Sequence, residues 1–346
     1  MVNFLIIRSK APLRISFAGG GTDLSLYCDN FGGCVLNATI NMYVHCTIEP
    51  LNSNKIIFST IDRGEYFEYD SLEQLKVDQN MSIHKEIYKK IIQEFNKGEP
   101  LPLILTTYSD VPAGSGLGSS STMVVCILKA FVELLNLPLG KHDVARLAFE
   151  IERIDLKMSG GKQDQYAATF GGFNFIDFCN NQRVIVNPLI VKNSIVSELE
   201  DSIVMFNSGI LRESYKVINE QKNNIINNRI QSLEALHQIK RDAVLIKEAI
   251  LSGEIKKIAD IMNDSWEAKK SIAESISNDY LDSIYKTALK NGAYGGKVSG
   301  AGGGGFMLFI VSPQKKLDVI NALSSYNGQI VDIKFSYEGA QSWKIY

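Results

Sequence analysis

Hydrophobic and polar positions alternate along the N-terminal third of the chain in the pattern of β-strands. The runs are rich in β-branched and aromatic residues and end at glycine, asparagine or proline, which commonly interrupt strands. Strands are therefore predicted at residues 4–7, 13–18, 34–40, 43–48 and 56–59. Apolar residues then recur at every fourth position through 82–95, which predicts a helix that covers one face of this sheet.

The middle of the chain has the longer period of helices. Val124, Leu128, Phe131 and Leu135 share one face of a helix that follows a glycine-rich turn. The predicted elements of this part are a strand at 103–107, the helix just described with its end near Pro138, a helix at 143–156, strands at 173–178 and 203–207, and helical structure over 215–252.

The last part of the chain alternates helices and strands over short distances. The pattern predicts helices at 255–272 and 279–290, a glycine turn, a strand at 305–310, a helix at 314–323 and a strand at 330–335. Such a sequence of elements is typical of a small α+β sandwich. The change in character near 190–205 divides the chain into an N-terminal domain, residues 1–195, and a C-terminal domain, residues 196–346.

Composition and charge narrow the class of protein. The 346 residues are 45% hydrophobic and 21% charged, as in a packed globular protein. Since 36 basic residues nearly balance 38 acidic ones, neither nucleic acid nor an anionic membrane is expected as a partner. The longest apolar runs fall far short of the roughly 20 residues that a membrane-spanning helix needs, and the first residues indicate a strand rather than a signal peptide.

Cysteine and histidine usage favours a reducing compartment and gives no metal motif. The five cysteines are scattered, with no Cys-x-x-Cys spacing, which argues against disulfides and zinc and favours a cytoplasmic protein. They are Cys28, Cys34, Cys46, Cys126 and Cys179. The four histidines stand at no ligand-like spacing, so we expect ordinary surface or core roles for them.

The segment 111–122, VPAGSGLGSSST, carries the strongest chemical signal in the sequence. Its glycines allow the backbone to approach a ligand closely, and the helix that begins at the serines adds unpaired N–H groups and the positive end of a dipole. We interpret the segment as a cradle for phosphate, with the serines capping the helix, coordinating Mg²⁺, or both. The alternative is a glycine-rich turn with an ordinary serine cap.

Two standard nucleotide motifs do not fit. A Walker loop requires a glycine where Asn291 stands before Gly296-Lys297. Residues 300–305, GAGGGG, satisfy Gly-x-Gly-x-x-Gly, but they lead into a strand, whereas the dinucleotide fingerprint follows a strand and opens a helix. The dehydrogenase interpretation is therefore rejected.

Two further segments contain candidate functional residues. Residues 17–23, FAGGGTD, follow the strand that carries Arg14, although a glycine cluster of this kind also occurs in simple turns. Glu150, Glu152 and Asp155 precede a glycine turn as ordinary helical acids would. Asp164 follows that turn and is predicted on a loop, where binding and catalytic groups concentrate.

Together and in this order, the three glycine segments resemble the motifs of the GHMP kinases, the superfamily of galactokinase, homoserine kinase, mevalonate kinase and phosphomevalonate kinase. The first motif corresponds to 11–14 with 18–23, the second to 112–121 and the third to 297–305. The resemblance implies an α+β fold of two domains, with an N-terminal domain like domain 2 of ribosomal protein S5 and a ferredoxin-like C-terminal domain. It also implies ATP and Mg²⁺ as cofactors, with ATP in the cleft between the domains.

The resemblance assigns roles to individual residues. Mg²⁺ is assigned to Ser120 and Glu152, with Ser119, Ser121 and Glu150 as alternatives if the register shifts. Asp164 would face the acceptor hydroxyl and accept its proton, and Arg14 would add positive charge beside it. The phosphates of ATP are assigned to Pro112, Gly114, Ser115, Gly116, Leu117, Gly118, Ser119, Ser120 and Ser121.

The first motif bears on the substrate. Galactokinases have Gly-Glu-His-Thr-Asp where this chain has Gly-Gly-Gly-Thr-Asp, a form similar to that of the bacterial heptose 7-phosphate kinases. These phosphorylate the anomeric hydroxyl to give a 1,7-bisphosphate on the route to GDP-activated heptose. Fucokinases are the nearest alternative, and a non-catalytic sugar or nucleotide sensor on the same fold is a second. The substrate residues that the resemblance implies are Gly20, Gly21, Thr22, Asp23, Gly302 and Gly303.

A sugar phosphate requires a second anion site. Arg212, at the end of a strand, has a planar guanidinium group suited to phosphate, and Lys10, Lys157 and Lys162 are further candidates. We expect a small-molecule sugar phosphate as the only partner and a monomer or homodimer as the assembly.

Overall fold

The computed structural model describes residues 5–76, 80–180, 182–210, 214–227 and 230–345. Its strands are β1 (Ile6–Ala18), β2 (Gly33–Pro50), β3 (Ile56–Thr60), β4 (Glu65–Tyr69), β5 (Leu103–Ser109), β6 (Phe173–Phe178), β7 (Val184–Pro188), β8 (Ile203–Asn207), β9 (Ala293–Val298), β10 (Phe306–Val311), β11 (Gln329–Val331) and β12 (Gln341–Ile345). Its α-helices are α1 (Ser25–Phe31), α2 (Ser82–Phe95), α3 (Ser119–Leu135), α4 (Lys141–Phe149), α5 (Gln163–Phe170), α6 (Asn193–Ser202), α7 (Ser214–Ile226), α8 (Ile230–Ser252), α9 (Ile255–Lys270), α10 (Asp279–Lys290) and α11 (Lys316–Leu323).

Eight strands form the first sheet. Six of them follow the order β12-β1-β2-β5-β3-β4. In addition, β6 pairs with the part of β2 that does not pair with β5, and β7 pairs with β6. The strand β2 is long enough to pair with β6 through its first half and with β5 through its second half. Helices α3 and α5 pack on β1 and β2, so the ends of these helices lie over the middle of the sheet.

The two longest strands were each predicted as two. In β1 the predicted break contains Pro12, and the pairing with β2 shifts register between Pro12 and Arg14. A bulge of this kind lets a strand continue past a residue that has no N–H to donate. Because β1 is therefore unbroken, it carries Arg14 from the sheet directly toward the glycines of the first motif.

The second sheet is antiparallel, with the order β11-β8-β10-β9. When β8, β9, β10 and β11 are numbered 1 to 4 along the chain, their order across the sheet is 4-1-3-2. This is the ferredoxin-like arrangement of a βαββαβ unit. The glycine turn predicted between 290 and 305 is only partly correct, because the strand β9 precedes a turn that is confined to the glycines after it. A Cβ on Gly295 would lie 2.4 Å from the carbonyl oxygen of Ala259, so glycine is required there for close packing of α9 rather than for a turn.

The last strand returns to the first sheet. Residues of β12 pair antiparallel with β1, from Ile6 with Ile345 to Lys10 with Gln341. The division of the chain at 195/196 falls inside α6 and stays a prediction, although β12 belongs with the sheet of the N-terminal part. In the described residues, no helix has the length and apolarity needed to cross a membrane. All five cysteines are free thiols.

Candidate functional site

The predicted phosphate cradle is a tight loop at the N-terminus of α3. Gly114, Gly116 and Gly118 all have left-handed backbones, with φ of 82°, 84° and 80°. This alternation turns the loop so that it meets the start of the helix, whose first N–H groups have no partner inside the helix. The side chain of Thr122 bonds to the carbonyl of Gly118 at 3.0 Å and closes the first turn.

The carbonyl groups of this loop are held by the surrounding framework. Gly116 accepts from the Arg14 guanidinium at 2.7 Å and from the Ser299 hydroxyl at 3.0 Å, and Ser115 accepts from the N–H of Phe306 at 3.0 Å. The main-chain N–H of Arg14 also donates to Leu117. These carbonyl oxygens are thus bonded to the first and third motifs, and the N–H groups of Ser115 and Leu117 are bonded within the loop. The first turn of α3 is therefore the main source of N–H groups for a ligand.

Glu152 lies beside the serines at the start of α3. Its carboxylate accepts hydrogen bonds from Ser120 Oγ at 2.9 Å, Ser121 Oγ at 2.6 Å and Gln165 Nε2 at 2.7 Å, and it pairs with Arg153 at 3.1 Å. Glu152 is 1% exposed. The structure thus brings the two predicted metal-binding residues, Ser120 and Glu152, into direct contact.

A local irregularity of the helix places this carboxylate. The helix predicted over 143–156 is present, but only α4 to Phe149 is α-helical, and a π-helical turn continues over Glu150–Asp155. The wider turn directs Glu152 inward and leaves Glu150 outside, 4.0 Å from Arg146. Glu150, the alternative metal ligand, therefore points away from the serines. Π-helical turns of this kind often mark functional positions.

Asp164 lies on the first turn of α5, not on a loop as predicted. Its Oδ1 accepts from Arg14 Nε at 2.7 Å and lies 2.6 Å from Arg14 Nη2. The arginine side chain is 4% exposed and that of Asp164 is 21% exposed, so the carboxylate stays accessible while its partner is buried. A Cβ on Gly118 would lie 3.0 Å from Asp164 Cγ, which places this acid directly against the cradle.

The first motif is tied to the same helix. Asp23 accepts from the N–H groups of Gly21 at 3.0 Å and Gln163 at 3.2 Å, so its carboxylate joins the glycine turn to the start of α5. Gly161 must be glycine because a Cβ there would overlap Asp23. Asp23 is 3% exposed, and its carboxylate is engaged by the protein.

The assignment of Thr22 to the substrate needs correction. Its side chain is fully buried, its hydroxyl lies within hydrogen-bonding distance of the Gly19 and Cys34 carbonyls, and it accepts from the N–H of Cys34. These contacts hold the glycine turn on β2 and leave the hydroxyl no capacity for a ligand. Thr22 is a framework residue of the site.

The third motif closes the loop from the opposite side. Gly302 and Gly303 have left-handed backbones, and the N–H of Gly303 donates to the Ile276 carbonyl. Lys297, on β9, is buried and reaches the carbonyl of Phe17 on β1 at 3.5 Å. Burial lowers the pKa of Lys297 well below its usual range, and the charges of Lys269 and Arg14 lower it further.

The four candidates for a second anion site lie in different surroundings. Arg212 lies outside the described residues. Lys162 forms an ion pair with Asp29 at 2.6 Å, and Lys10 lies over the Tyr43 ring at 5.0 Å. Lys157 is exposed at the start of the glycine turn. Lys10, Lys157 and Lys162 are therefore not placed beside the phosphate cradle by any of these contacts.

Sequence reasoning missed several residues that the fold brings here. Arg153 donates to Ser121 Oγ at 3.2 Å and to the Gly161 carbonyl, and Gln165 bonds both Ser121 and Glu152. Lys269 of α9 donates to the Gly300 carbonyl at 2.6 Å. Each of these residues resembles an ordinary helical surface residue in the sequence, and only the packing of distant segments brings them together.

Comparison with known proteins gives matches over both parts of the chain. Residues 82–172 match the N-terminal domain of GHMP kinases, and residues 246–329 match their C-terminal region. A D-glycero-alpha-D-manno-heptose 7-phosphate kinase of Campylobacter jejuni is 53% identical over 98% of this chain and 99% of its own length.

Two further relatives differ in how far the similarity extends. The crystal structure of a D-glycero-D-manno-heptose 1-phosphate kinase from Bacteroides thetaiotaomicron has a TM-score of 0.83 and 46% identity, and the match covers 98% of this chain and 99% of that one. A bifunctional fucokinase/GDP-fucose pyrophosphorylase of Arabidopsis thaliana is 26% identical over 89% of this chain but only 30% of its own length.

Proposed function

The chain belongs to the GHMP kinases, and on this premise we propose that it transfers a phosphoryl group from ATP to the anomeric hydroxyl of D-glycero-D-manno-heptose 7-phosphate. The product is the 1,7-bisphosphate, in a route toward GDP-activated heptose for surface polysaccharide. The observation that carries the proposal is the accessible Asp164 carboxylate, which is held by Arg14 against the Gly118 end of the phosphate loop.

This arrangement suits phosphoryl transfer, which depends on positioning and charge more than on covalent chemistry. The loop N–H groups and the N-terminus of α3 bind phosphate oxygens. Asp164 takes the proton of the attacking hydroxyl as the new O–P bond forms and the bond to the leaving ADP breaks. The two N–H groups of Arg14 fix the Oδ1 atom, so that Oδ2 is directed to the acceptor.

Ser120 and Glu152 have the chemistry that Mg²⁺ requires. A carboxylate and hydroxyl oxygens are hard ligands, and Mg²⁺ in kinases takes one or two protein oxygens together with substrate phosphates. When bound, the ion neutralises charge on the phosphate groups. Among the described residues no three acidic, histidine or cysteine side chains cluster together, which fits a metal held by the nucleotide and one carboxylate.

Two other functions were considered. A non-catalytic sensor would have no need for the acids, yet Glu152 and Asp164 are both seated at the cradle. The fucokinase alternative rests on weaker similarity, 26% identity against 53% for the heptose kinase. We also propose a cytoplasmic location and a monomer or homodimer, which the scattered free thiols and the self-contained site favour.

Replacing Glu152 by glutamine is expected to weaken Mg²⁺ binding by at least the roughly 10- to 100-fold that loss of an outer-shell partner costs, because the charge of a direct metal ligand is lost. Raised Mg²⁺ should recover part of the lost rate. Glu150→Gln is the matched control, since it removes a carboxylate of the same turn that lies 4.0 Å from Arg146. Initial rates across a Mg²⁺ titration test the pair, and equal behaviour of the two variants would show that Glu152 is not the ligand.

The serines at the start of α3 test the register of the same site. Ser120→Ala is expected to lower turnover more than nucleotide binding, whereas Ser121→Ala removes a bond to Glu152 that Gln165 also supports. Turnover and binding of an ATP analogue, measured on both variants, check this ranking. A larger loss of turnover in Ser121→Ala would show that Ser121, rather than Ser120, contacts the metal.

The substrate is tested with a panel of sugars and MgATP, followed by ADP release. We expect heptose 7-phosphate to give the fastest release. The panel includes heptose 1-phosphate, because the names of the two heptose kinases differ in the position of the phosphate. Release with heptose 1-phosphate, L-fucose or galactose alone would contradict the proposed substrate.

A further inference from the structure

Three hydrogen-bond donors converge on the space in front of Gly20 in the first motif. A Cβ built on Gly20 would lie 3.5 Å from Lys269 Nζ, 3.8 Å from Gln163 Nε2 and 3.8 Å from Ser16 Oγ, and these are its three nearest atoms. The three side chains come from α9, α5 and β1. All are buried, with exposures of 4%, 7% and 3%.

The backbone does not require glycine at this position. Gly19 and Gly21 on either side have φ of 83° and 108°, which explains why they are glycines. Gly20 does not have a positive φ, and its Cβ would meet only ordinary van der Waals distances. Since neither strain nor a clash demands glycine at 20, the consequence of having it there is that the three donors face the backbone with no side chain between them.

The polar atoms around this space are not all satisfied by the protein. Gln163 Oε1 is buried without a hydrogen-bond partner in the described part of the chain. Buried polar groups in native proteins normally have partners, so an exception points to a ligand or bound water. The Gln163 main-chain N–H is held by Asp23 at 3.2 Å, which fixes the backbone from which this side chain extends.

The charge at this end of the cleft favours an anion. Lys269 contributes an ammonium group, and it and the Arg14 guanidinium are both close enough to the buried Lys297 to act on it electrostatically. Asp164, which pairs with Arg14, directly follows Gln163 in α5. The base and one of the three donors therefore lie on the same turn of α5.

We propose that Lys269, Gln163 and Ser16 form the subsite for the phosphate group that the acceptor sugar already carries, in the space left open by Gly20. A phosphate offers several strong acceptors to an ammonium, an amide N–H and a hydroxyl, and a hydroxyl of the sugar next to the ester can donate to Gln163 Oε1. This inference rests on the proposed function, because it assigns a subsite within the same active site. It makes Lys269 the residue that separates phosphorylated from free sugars.

Lys269→Met tests the subsite in the full-length protein. Loss of a charge-assisted bond should raise KM for heptose 7-phosphate by about 10- to 100-fold. KM for MgATP should change much less, although the bond from Lys269 to the Gly300 carbonyl is lost as well. The preference of the wild type for heptose 7-phosphate over free heptose should fall by the same factor. Lys270→Met is the matched control, because the neighbouring lysine pairs with Glu267 at 2.8 Å on the outside of α9 and should leave both constants unchanged.

Gly20→Ala is a second variant that does not depend on removing a buried lysine. Its backbone tolerates alanine and the methyl group occupies the proposed space, so KM for the sugar phosphate should rise while the melting temperature stays near that of the wild type. Unchanged KM values in both variants, or a loss confined to kcat, would overturn the subsite.

Inorganic phosphate separates this inference from the choice of sugar. With the nucleotide site saturated by a non-hydrolysable ATP analogue, calorimetry should show phosphate binding to the wild type and weaker binding to Lys269→Met. A wild type that binds phosphate in this way but does not turn over heptose 7-phosphate would contradict the proposed substrate and support the subsite. Equal phosphate binding by both proteins, or none by the wild type, would overturn the subsite whatever the substrate.

Discussion

Asp164→Asn is expected to lower kcat by about 10²- to 10⁴-fold, the range for loss of a positioned base. Asparagine keeps the shape of the side chain, and its oxygen can still accept from Arg14, but it cannot take the proton of the acceptor hydroxyl. Affinities for MgATP and for the sugar phosphate should therefore change little. Steady-state kinetics with calorimetric titration of both ligands measure the two effects separately.

Asp155→Asn serves as the control for this variant. Asp155 lies at the end of the π-helical turn and pairs with Lys90 at 3.0 Å, so the same chemical change is made away from the cradle. Its turnover should stay close to that of the wild type. Full activity in Asp164→Asn, or recovery of its rate by added Mg²⁺, would mean that the base lies elsewhere or is not needed.

Gly118→Val should abolish turnover and ATP binding in a protein that still folds. Glycine at this N-cap has φ of 80°, which strains a β-branched residue. The new Cβ would lie 3.0 Å from Asp164 Cγ, so the variant displaces the base as well as the start of α3. A displacement on the order of 1 Å can cost about 10²-fold in rate, before any loss of nucleotide affinity.

Gly98→Val isolates the backbone contribution. Gly98 has the same φ of 80°, but nothing lies within 4 Å of its Cβ position. Both variants should lose about 1–3 kcal/mol of stability through the strained backbone, and only Gly118→Val should lose ATP binding and turnover. Thermal unfolding together with calorimetry on an ATP analogue checks this, and retained ATP binding by Gly118→Val would contradict the cradle.

Local pattern was sufficient for much of the fold. The helix α2 and the strands β6 and β8 have the bounds that the sequence predicts, because α2 buries one apolar face and the two strands are buried along almost their whole length. The strand β9 could not be predicted in this way. Its glycines resemble a turn in the sequence, and only the close approach of α9 explains them.

The site shows a similar division. The resemblance of the motifs led to Ser120, Glu152, Asp164 and Arg14, and the structure brings these four residues to one end of α3. The sequence alone could not show that Arg14 and Asp164 form an ion pair, since they are 150 positions apart. Lys269 was missed entirely, because a lysine near the end of a helix has no distinguishing pattern until the packing of α9 sets it beside Gly20.

The central claim is that this chain phosphorylates the anomeric hydroxyl of heptose 7-phosphate. The most direct test is ³¹P NMR of a reaction containing heptose 7-phosphate, MgATP and the full-length protein. We expect a second sugar phosphate resonance that couples to the anomeric proton and grows in step with ADP, while the 7-phosphate resonance is retained. ADP formation without that resonance, or a new phosphate coupled to any other proton of the sugar, would contradict the account.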